Sequence, residues 1–535
     1  MARPDPFGET QRRARYYRDG HWRDEDLWTS IAAVAAVRGE AVAFKQDERA
    51  IGFAAFADLA QRVGAGLAAR GIAAGDPVVI HARNGIEAAA ALAGCAWLGA
   101  VAVPLPPMFT GSQVEAVCTS SGAKAMFCLG KTAEVERAVA AAQACGVTLI
   151  VVPDEQPKIV GSVPWHAILG QPGLARSPRN PDDLALLVYS SGTTAAPKGV
   201  MHSANTVRYA ALARAQLHGV TADDICLLVC QFGFVGGIIF GMLTAMLTGA
   251  TTVILPSWDA DEALRTIARE RISYGLFMPT HTHDLLSAPT LGTVDVSSLR
   301  HAAMGGITEQ QRQEVLERLC PLPFPGYGMS ECLGHATCSA DSPTAKLLAS
   351  EGRAYPGTEI IVVDGDAARL PPHMAGSLMV RGPSRCLGYF AAPELTEAAF
   401  TADGFFRSGD ICMLDEDGYV TFVGREKDII RRGGVTIVPT EIESALRRHP
   451  LVREVAVVGL PDERLGERTC ACLILADGAE LSLDDVTAFL ERQGVARYMW
   501  PEEIRRRTDF PRTPSLKIMK PALVAQLCEG TADAA

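Results

Sequence analysis

Short apolar runs alternate with longer Ala-rich helical patterns over about the first 420 residues, and this alternation limits the possible folds more than any other feature. Runs of strand length separated by helices are typical of parallel sheets with crossover helices. The predicted strands are Pro77–Ala82, Ala125–Leu129, Thr148–Val152, Leu186–Tyr189, Ile225–Cys230, Thr252–Leu255 and Tyr274–Met278. No sequence is repeated between them, so the pattern does not indicate a repeat protein.

The pattern changes twice in the last third of the chain. After Gly357, Gly, Asp and Pro turns join three short predicted strands, which indicates a β-rich subdomain. These strands are Glu359–Val363, Ser377–Arg381 and Tyr419–Val423. From Arg425 onwards a compact α+β pattern has the size of a small domain. Its predicted elements are helix Pro439–His449, strands Val452–Gly459 and Thr469–Leu475, helix Ser482–Glu491 and a last helix after Pro521.

The sequence therefore predicts an α/β protein of two domains. A single core rarely grows beyond about 250–300 residues, and this chain has 535. The large N-terminal domain, residues 1–424, is predicted to hold mixed and parallel sheets with crossover helices and the β-rich subdomain. Residues 425–535 form the small α+β C-terminal domain.

Composition and charge exclude several classes of protein. The net charge of -11 argues against a nucleic-acid partner, which usually needs a basic face. The N-terminus lacks the apolar core of a signal peptide. The apolar stretch Ala88–Leu105 is predicted to be a buried helix that leads into a short strand rather than a membrane span. The 14 scattered cysteines indicate reduced thiols, and we expect a cytoplasmic protein.

A polar loop follows the predicted strand that ends at Tyr189. Residues Tyr189–Val200 read Tyr-Ser-Ser-Gly-Thr-Thr-Ala-Ala-Pro-Lys-Gly-Val. Backbone N–H groups and hydroxyls in such a loop can surround triphosphate oxygens, and Lys198 adds a positive charge. The spacing differs from that of a P-loop. The alternative interpretation is a Ser/Thr-rich surface turn.

Three further motifs extend the pattern. Residues 326–331 read Gly-Tyr-Gly-Met-Ser-Glu, residues 408–410 read Ser-Gly-Asp, and Gly424–Glu443 begins Gly-Arg-Glu-Lys-Asp. Together with the polar loop, their order and spacing resemble the adenylate-forming superfamily of acyl-CoA synthetases, adenylation domains and luciferases. The resemblance extends from about Trp22 to Leu523.

The resemblance implies a nucleotide site with ATP and Mg²⁺. The phosphate loop would comprise Ser190, Ser191, Gly192, Thr193, Thr194 and Lys198. Tyr327 would stack on adenine, Ser330 would meet the α-phosphate, and Glu331 would bind Mg²⁺, which prefers carboxylate oxygens. Asp410 would accept hydrogen bonds from the ribose hydroxyls, and Arg425 would contact the ribose or phosphate. Alternatively, Tyr327 is a core residue and Asp410 a turn residue.

Lys517, Glu331 and Lys198 are the implied catalytic residues. Lys517 lies in the segment Pro511–Ile518, which resembles the closing motif of the family. A cation at this position would offset the repulsion between the attacking carboxylate and the α-phosphate. The alternative for Lys517 is an exposed surface lysine.

The resemblance also implies a mobile C-terminal domain. Lys427 corresponds to the hinge at the domain boundary, about which the small domain rotates between two half-reactions. Gly433 and Gly434 match the loop that reaches the thiol channel, where the absence of side chains permits close approach. A plain β-turn is the alternative for this glycine pair.

The chain departs from the family pattern at three positions. Ala195 replaces the glycine that usually follows the second threonine of the phosphate loop, and Leu516 replaces the glycine before Lys517. Both changes restrict the backbone. Phe234 stands where many relatives have a histidine between the acid pocket and the CoA tunnel. Phenylalanine forms no hydrogen bond to a carboxylate.

Three further segments, Gly20–Arg23, Met201–Asn205 and Met278–Leu286, carry a closer resemblance within the superfamily. They most resemble the cyclohexanecarboxylate–CoA ligase-like and aryl-acid-activating synthetases. By position, the acid pocket would include Phe234, Val235, Met278, His281, Met304, Gly305, Gly306 and Met329. A mostly apolar pocket of medium size suits a ring or a short to medium chain. Core packing would give the same apolar composition.

The leading hypothesis is a carboxylate–CoA ligase that forms acyl-AMP and then transfers the acyl group to CoA. A second hypothesis keeps the adenylation but changes the acceptor to a carrier-protein thiol or an amine, or activates nitrite to diazotise an arylamine. A third is an inactive nucleotide-binding scaffold, although the retained Lys198, Glu331, Asp410, Arg425 and Lys517 argue against it. Because the family is often dimeric, a homodimer is left open.

Overall fold

The computed structural model describes residues 9–156, 159–171, 176–190, 197–433, 435–513 and 517–530. The chain divides into two compact units. Unit 1 holds the described residues up to 190, together with 197–360 and 380–407. Unit 2 holds residues 361–379 and the described residues from 408 onwards.

The helices and strands occur in the following order along the chain. The α-helices are α1 Glu9–Arg18, α2 Leu27–Arg38, α3 Phe53–Ala69, α4 Ile86–Leu98, α5 Gly111–Ser121, α6 Thr132–Ala144, α7 Trp165–Ile168, α8 Ala204–Leu217, α9 Val235–Gly237, α10 Thr244–Thr248, α11 Ala260–Glu270, α12 Pro279–Ser287, α13 Glu309–Arg318, α14 Thr344–Ala349, α15 Pro393–Ala399, α16 Pro439–Leu446, α17 Leu483–Arg492 and α18 Lys520–Gly530. A π-helix spans Ile238–Leu243, and 3₁₀-helices span Glu426–Asp428 and Arg497–Met499.

The strands are β1 Val42–Gln46, β2 Arg49–Gly52, β3 Pro77–Ala82, β4 Val101–Leu105, β5 Ala125–Leu129, β6 Leu149–Val152, β7 Val163–Pro164, β8 Leu184–Ser190, β9 Lys198–Ser203, β10 Ile225–Leu228, β11 Thr251–Ile254, β12 Tyr274–Phe277, β13 His301–Met304, β14 Leu322–Met329, β15 Cys332–Thr337, β16 Arg353–Ala354, β17 Glu359–Val363, β18 Gly376–Arg381, β19 Gly388–Tyr389, β20 Phe406–Leu414, β21 Val420–Arg425, β22 Ile430–Arg432, β23 Val435–Ile437, β24 Val452–Asp462, β25 Gly466–Leu475 and β26 Glu503–Arg506.

Two large sheets form unit 1. One has nine strands in the order β16-β15-β14-β13-β12-β10-β11-β1-β2, and the other has eight in the order β19-β9-β8-β4-β3-β5-β6-β7. The inner strands are parallel, and helices connect them. The predicted α/β class is therefore confirmed, and the strands predicted up to Met278 fall on observed ones with shifts of at most two residues at their ends. Such shifts are usual at element boundaries.

Helix α4 and strand β4 occupy the apolar stretch Ala88–Leu105, as predicted. The helix packs against α3 through two glycines. An added Cβ at Gly64 would lie 2.4 Å from the Trp97 ring, and one at Gly94 would lie 2.7 Å from Val63 Cγ1. The helix is buried because it lies between other elements of the unit rather than in lipid. In the described part of the chain, no helix is long and apolar enough to cross a membrane.

Unit 2 is a smaller α+β structure. Strands β24 and β25 pair antiparallel over their whole length, β25 also pairs with β22 and β26, and β22 pairs with β23. Helices α16 and α17 pack on one face of this sheet through Ile442, Leu446 and Val486. Cys470 and Cys472 are fully buried on the other face with Leu523 of α18. Both cysteines are therefore core residues.

Candidate active site

The predicted phosphate loop connects β8 to β9, which pair antiparallel. Ser190 at the end of β8 is opposite Lys198 at the start of β9, so the two ends of the loop are fixed side by side. Residues 191–196 lie outside the described part of the chain. The predicted contacts of Ser191, Gly192, Thr193 and Thr194, and the effect of Ala195, stay predictions.

Lys198 and Glu331 both lie next to Tyr389. The ammonium group of Lys198 lies 5.9 Å from the centre of the Tyr389 ring, and the Tyr389 hydroxyl donates a 2.8 Å hydrogen bond to Glu331 Oε1. Burial and the neighbouring Glu331 carboxylate raise the pKa of this hydroxyl, so it remains a donor. The structure thus brings two predicted site residues together around a tyrosine that the sequence did not indicate.

Strand β19 places Tyr389 at this position. Its backbone pairs with β9, so that Tyr389 is opposite Val200. Next to the strand, the Cys386 N–H donates a 2.7 Å hydrogen bond to the Glu331 carbonyl. Both β9 and Glu331 are far from β19 in sequence. Local periodicity could therefore not reveal the contact between Tyr389 and Glu331. The Gly-Tyr pair at residues 388–389 was the available signal.

His202 fixes the backbone beside Ser330. Its side chain is completely buried, and Nε2 donates a 2.7 Å hydrogen bond to the Ser330 carbonyl oxygen. Burial lowers the pKa of His202 to about 4, so the ring is neutral near pH 7. His202 therefore acts as a positioning residue for the turn between β14 and β15. Sequence analysis placed it in a family motif but assigned it no role.

Tyr327 and Glu331 come from one β-hairpin. Strand β14 carries Tyr327, β15 starts at Cys332, and the turn between them holds Ser330 and Glu331. The Tyr327 ring makes an edge contact with His335, with 4.6 Å between ring centres. Tyr327, Ser330 and Glu331 are each half-buried, so each retains surface on which a ligand can bind.

Asp410 and Arg425 are neighbours in unit 2. They are directly opposite each other on the antiparallel strands β20 and β21. Arg425 Nε lies 3.4 Å from Asp410 Oδ1, and the Asp410 N–H bonds to the Ser408 hydroxyl. Asp410 is 6% exposed, so its carboxylate is held in place by its surroundings rather than by water. Because Asp410 and Arg425 are adjacent, both side chains can contact the same ligand.

The other predicted residues of unit 2 lie on turns. Lys427 is exposed in the 3₁₀-helix that follows β21. Gly433 has a φ of 55° in the turn between β22 and β23, a conformation that favours glycine. Lys517 is exposed, and its backbone bonds to that of Thr513. Gly434 and Leu516 lie outside the described residues.

The predicted acid-pocket residues cluster at one edge of the nine-stranded sheet. Strands β10, β12, β13 and β14 are parallel neighbours. Phe234 and Val235 follow β10, Met278 follows β12, Gly305 and Gly306 follow β13, and Met329 ends β14. The carboxyl ends of parallel strands are the usual position of binding residues in α/β proteins. An added Cβ at Gly305 would lie 2.8 Å from the Gly326 carbonyl oxygen.

Two of these residues make core contacts. Met304 is 1% exposed and belongs to the apolar cluster that includes Phe277 and Leu285. The His281 ring lies 4.3 Å from the Trp258 ring, and its Nδ1 accepts a hydrogen bond from the Met278 N–H. Burial lowers the pKa of His281 to about 4. A neutral His281 is suited to packing against a substrate but not to holding its negative charge.

A cavity of about 780 Å³ in unit 1 lies between α2, α4 and β8. Leu27, Leu92 and Leu184 are among the residues that line it, and none of the predicted site residues that the structure describes does. Cavity size therefore does not identify the candidate site, which is defined by the convergence of Lys198, Tyr389 and Glu331.

Comparison with known proteins identifies the family. The model of the AMP-binding enzyme family matches residues 31–390, and the model of the AMP-binding enzyme C-terminal domain matches residues 441–517. The chain belongs to the AMP-binding enzyme family. The predicted superfamily is thereby confirmed.

Named members of this family are similar to the chain over almost its whole length. It is 32% identical to the medium-chain fatty-acid–CoA ligase of Escherichia coli K12, covering 95% of this chain and 92% of the relative. It is 31% identical to the salicyl-AMP ligase / salicyl-S-ArCP synthetase of Mycobacterium tuberculosis H37Rv, and the match covers 98% of this chain and 96% of the relative. The ATP-bound crystal structure of MatB from Rhodopseudomonas palustris superimposes with a TM-score of 0.86 at 26% identity. The superposition covers 94% of this chain and 99% of MatB.

Proposed function

We propose that the chain uses ATP and Mg²⁺ to convert a carboxylic acid into its acyl-AMP with release of pyrophosphate, and then transfers the acyl group to the thiol of CoA. The observation that carries the proposal is the convergence of Lys198, Tyr389 and Glu331 next to the ends of the phosphate loop. The CoA ligase among the relatives and the ATP-bound MatB structure support it independently.

The charges in unit 1 suit a nucleoside triphosphate with its metal ion. The Glu331 carboxylate is half-buried and oriented by the Tyr389 hydroxyl, which suits a ligand of a hard divalent cation. When bound, Mg²⁺ would neutralise phosphate charge. Lys198 would bind the β- and γ-phosphates, Ser330 the α-phosphate and Tyr327 the adenine ring.

Unit 2 would supply the ribose contacts and the adenylation lysine. Asp410 has two carboxylate oxygens that can accept hydrogen bonds from the ribose hydroxyls, and Arg425 would orient this carboxylate and reach the phosphate. The exposed Lys517 would approach the acid carboxylate and the α-phosphate during adenylation. In the second half-reaction, the domain beginning at residue 425 would rotate about Lys427 and bring Gly433 and Gly434 to the thiol channel.

A carrier-protein thiol is the second candidate acceptor. The 31% identity to a salicyl-S-ArCP synthetase favours it specifically. Phe234 at the predicted boundary between the acid pocket and the thiol channel is compatible with either thiol, because a phenyl ring neither donates nor accepts a hydrogen bond.

The first test measures pyrophosphate release with ATP and Mg²⁺ over a panel of aryl, alicyclic and medium-chain acids, with nitrite included. Each reaction is run with and without CoA. We expect an acid to drive release and CoA to accelerate turnover with formation of a thioester. Release that CoA does not change would favour the carrier-protein thiol, and release driven by nitrite alone would contradict carboxylate activation.

Lys517→Ala tests the assigned adenylation step. We expect it to slow pyrophosphate release by on the order of 10²–10³-fold, because it removes a cation from the developing negative charge. Thioester formation from synthetic acyl-AMP should fall much less. Since the Lys517 side chain is exposed, an unchanged unfolding curve is the control. Equal losses in both half-reactions would contradict the role.

A further inference from the structure

Arg214 of α8 is a buried arginine whose charge is not compensated by any acidic group among the described residues. The residue is 7% exposed. Its guanidinium carbon lies 4.1 Å from the centre of the Phe240 ring, and an added Cβ at Gly326 would lie 3.0 Å from its Nη2. Within the described part of the chain, the side chain donates no hydrogen bond and forms no ion pair, and Nε is completely enclosed without an acceptor.

Two other buried arginines of unit 1 show how the same group is normally accommodated. Arg208, on the same helix, donates to the carbonyl oxygens of Glu25 and Arg23. Arg312 donates to the Ser350 carbonyl and forms a 2.6 Å ion pair with Glu351. Burying a charge without a partner strongly disfavours the folded state. Unlike Arg208 and Arg312, Arg214 therefore lowers the free energy of unfolding of the free protein.

The ionisable groups around Arg214 are neutral. Burial raises the pKa of the Cys230 thiol and of the Tyr274 hydroxyl, so neither becomes an anion near pH 7. Burial also lowers the pKa of His218, which leaves its ring uncharged. The Tyr355 hydroxyl is protonated for the same reason as that of Tyr274. Among these described neighbours there is no counter-ion for the guanidinium.

Arg214 lies at the edge of the sheet where the predicted acid pocket is found. Gly326, next to its Nη2, starts the motif that carries Tyr327, and an added Cβ at Gly305 would lie 2.8 Å from the Gly326 carbonyl. Cys230, an ionisable neighbour of Arg214, lies 3.4 Å from the position of an added Cβ at Gly236, next to the predicted pocket residue Val235. Gly326 leaves room for the guanidinium, which packs on the face of the Phe240 ring.

We propose that Arg214 binds a second carboxylate on the substrate acid, so that the enzyme prefers dicarboxylic acids or aryl acids with a second carboxyl group. This inference rests on the proposed adenylation function and on the predicted position of the acid pocket. A planar guanidinium with free donors matches a carboxylate in two parallel hydrogen bonds. The second carboxylate would compensate the buried charge, and the first would be adenylated.

The experiment compares matched pairs of acids, hexanoate with adipate and benzoate with terephthalate, in acid-dependent pyrophosphate release. We expect the wild-type protein to have the higher kcat/KM for the diacid of at least one pair. Arg214→Met should lower the diacid/monoacid ratio of kcat/KM on the order of tenfold or more. The control is Arg312→Met, which removes a buried arginine with protein partners and should leave the ratio unchanged.

Stability provides a second measurement. Arg214→Met should keep or raise the melting temperature of the free protein, because it removes an uncompensated charge, whereas Arg312→Met should lower it. A lower melting temperature for Arg214→Met with an unchanged diacid/monoacid ratio would overturn the proposal. Equal shifts of the ratio in the two variants would also overturn it.

If no acid drives pyrophosphate release, the proposed adenylation fails, and binding alone decides the role of Arg214. Thermal stabilisation by adipate or terephthalate is then measured in the presence of a non-hydrolysable ATP analogue. The carboxylate site would be upheld if the diacid raises the melting temperature of the wild type more than the monoacid does, and if this difference is lost in Arg214→Met. Equal stabilisation of both proteins, or none, would overturn it.

Discussion

At the residue scale, the orientation of Glu331 depends on a hydroxyl group from a distant segment. Tyr389 lies on β19, 58 residues after Glu331, and its hydroxyl donates a 2.8 Å hydrogen bond to the carboxylate. The same ring faces the ammonium group of Lys198. A carboxylate that is held in one orientation before the ligand binds loses less conformational entropy when a cation is bound. Tyr389 is therefore a positioning residue for the proposed metal ligand.

Tyr389→Phe tests this relation. The change removes one hydrogen bond to a charged group, which typically contributes about 1.5–3 kcal/mol. We expect kcat/KM for pyrophosphate release to fall on the order of tenfold, with a higher Mg²⁺ concentration needed for half-maximal activity. The control is Tyr209→Phe, which removes a buried hydroxyl that bonds to the Pro356 carbonyl. An unchanged Mg²⁺ dependence in Tyr389→Phe would contradict the positioning role.

Sequence analysis identified Lys198 and Glu331 but not Tyr389, His202 or Arg214. The first two lie in motifs whose order along the chain carries the family resemblance. The other three depend on tertiary structure: Tyr389 on the pairing of β19 with β9, His202 on a carbonyl 128 residues away, and Arg214 on the lack of an acceptor for its Nε among the described residues. Such contacts depend on how elements pack, which a local pattern does not encode.

At the element scale, the close approach of α3 and α4 depends on glycine. The apolar stretch Ala88–Leu105 predicted a buried helix and a strand, and both are present. What the stretch could not predict is the partner of the helix. In the structure, Gly64 lies against the Trp97 ring and the Gly94 carbonyl oxygen, so the two helix backbones are nearly in contact. A methyl group at this position has no free space.

Gly64→Ala is therefore expected to destabilise unit 1, although alanine has the higher helix propensity. Its Cβ would lie 2.4 Å from Trp97 Cε3 and 2.8 Å from the Gly94 carbonyl oxygen. Overpacking of this kind costs about 1–3 kcal/mol, and urea unfolding followed by tryptophan fluorescence measures the loss. The control is Gly111→Ala at the start of α5, where the nearest atom is 3.6 Å away. Equal stability of Gly64→Ala and wild type would contradict the packing argument.

At the scale of the whole molecule, buried histidines make stability depend on pH. Burial lowers the pKa of His81, His202, His281 and His335 to about 4 each. An unfolded histidine has a pKa of about 6.5. Between these two values the unfolded chain binds more protons than the folded chain, so the free energy of unfolding rises with pH. The stabilisation from keeping these rings neutral is fully present above about pH 6.5 and is lost as the pH falls towards 4.

We therefore expect the urea midpoint of unit 1 to fall on acidification from about pH 6.5 to 5, a range in which most carboxylates remain ionised. Each histidine that stays neutral in the folded state contributes up to about 1.4 kcal/mol per pH unit. His335→Leu removes one such group, whose Nε2 has no hydrogen-bond partner within the part of the chain that the structure describes, and should reduce the slope by about one proton. His283→Gln, at an exposed position, is the matched control and should keep the wild-type slope. A wild-type midpoint that does not change over this range would mean that the buried rings are protonated in the folded protein, and the neutral state assigned to His202 beside Ser330 would be wrong with it.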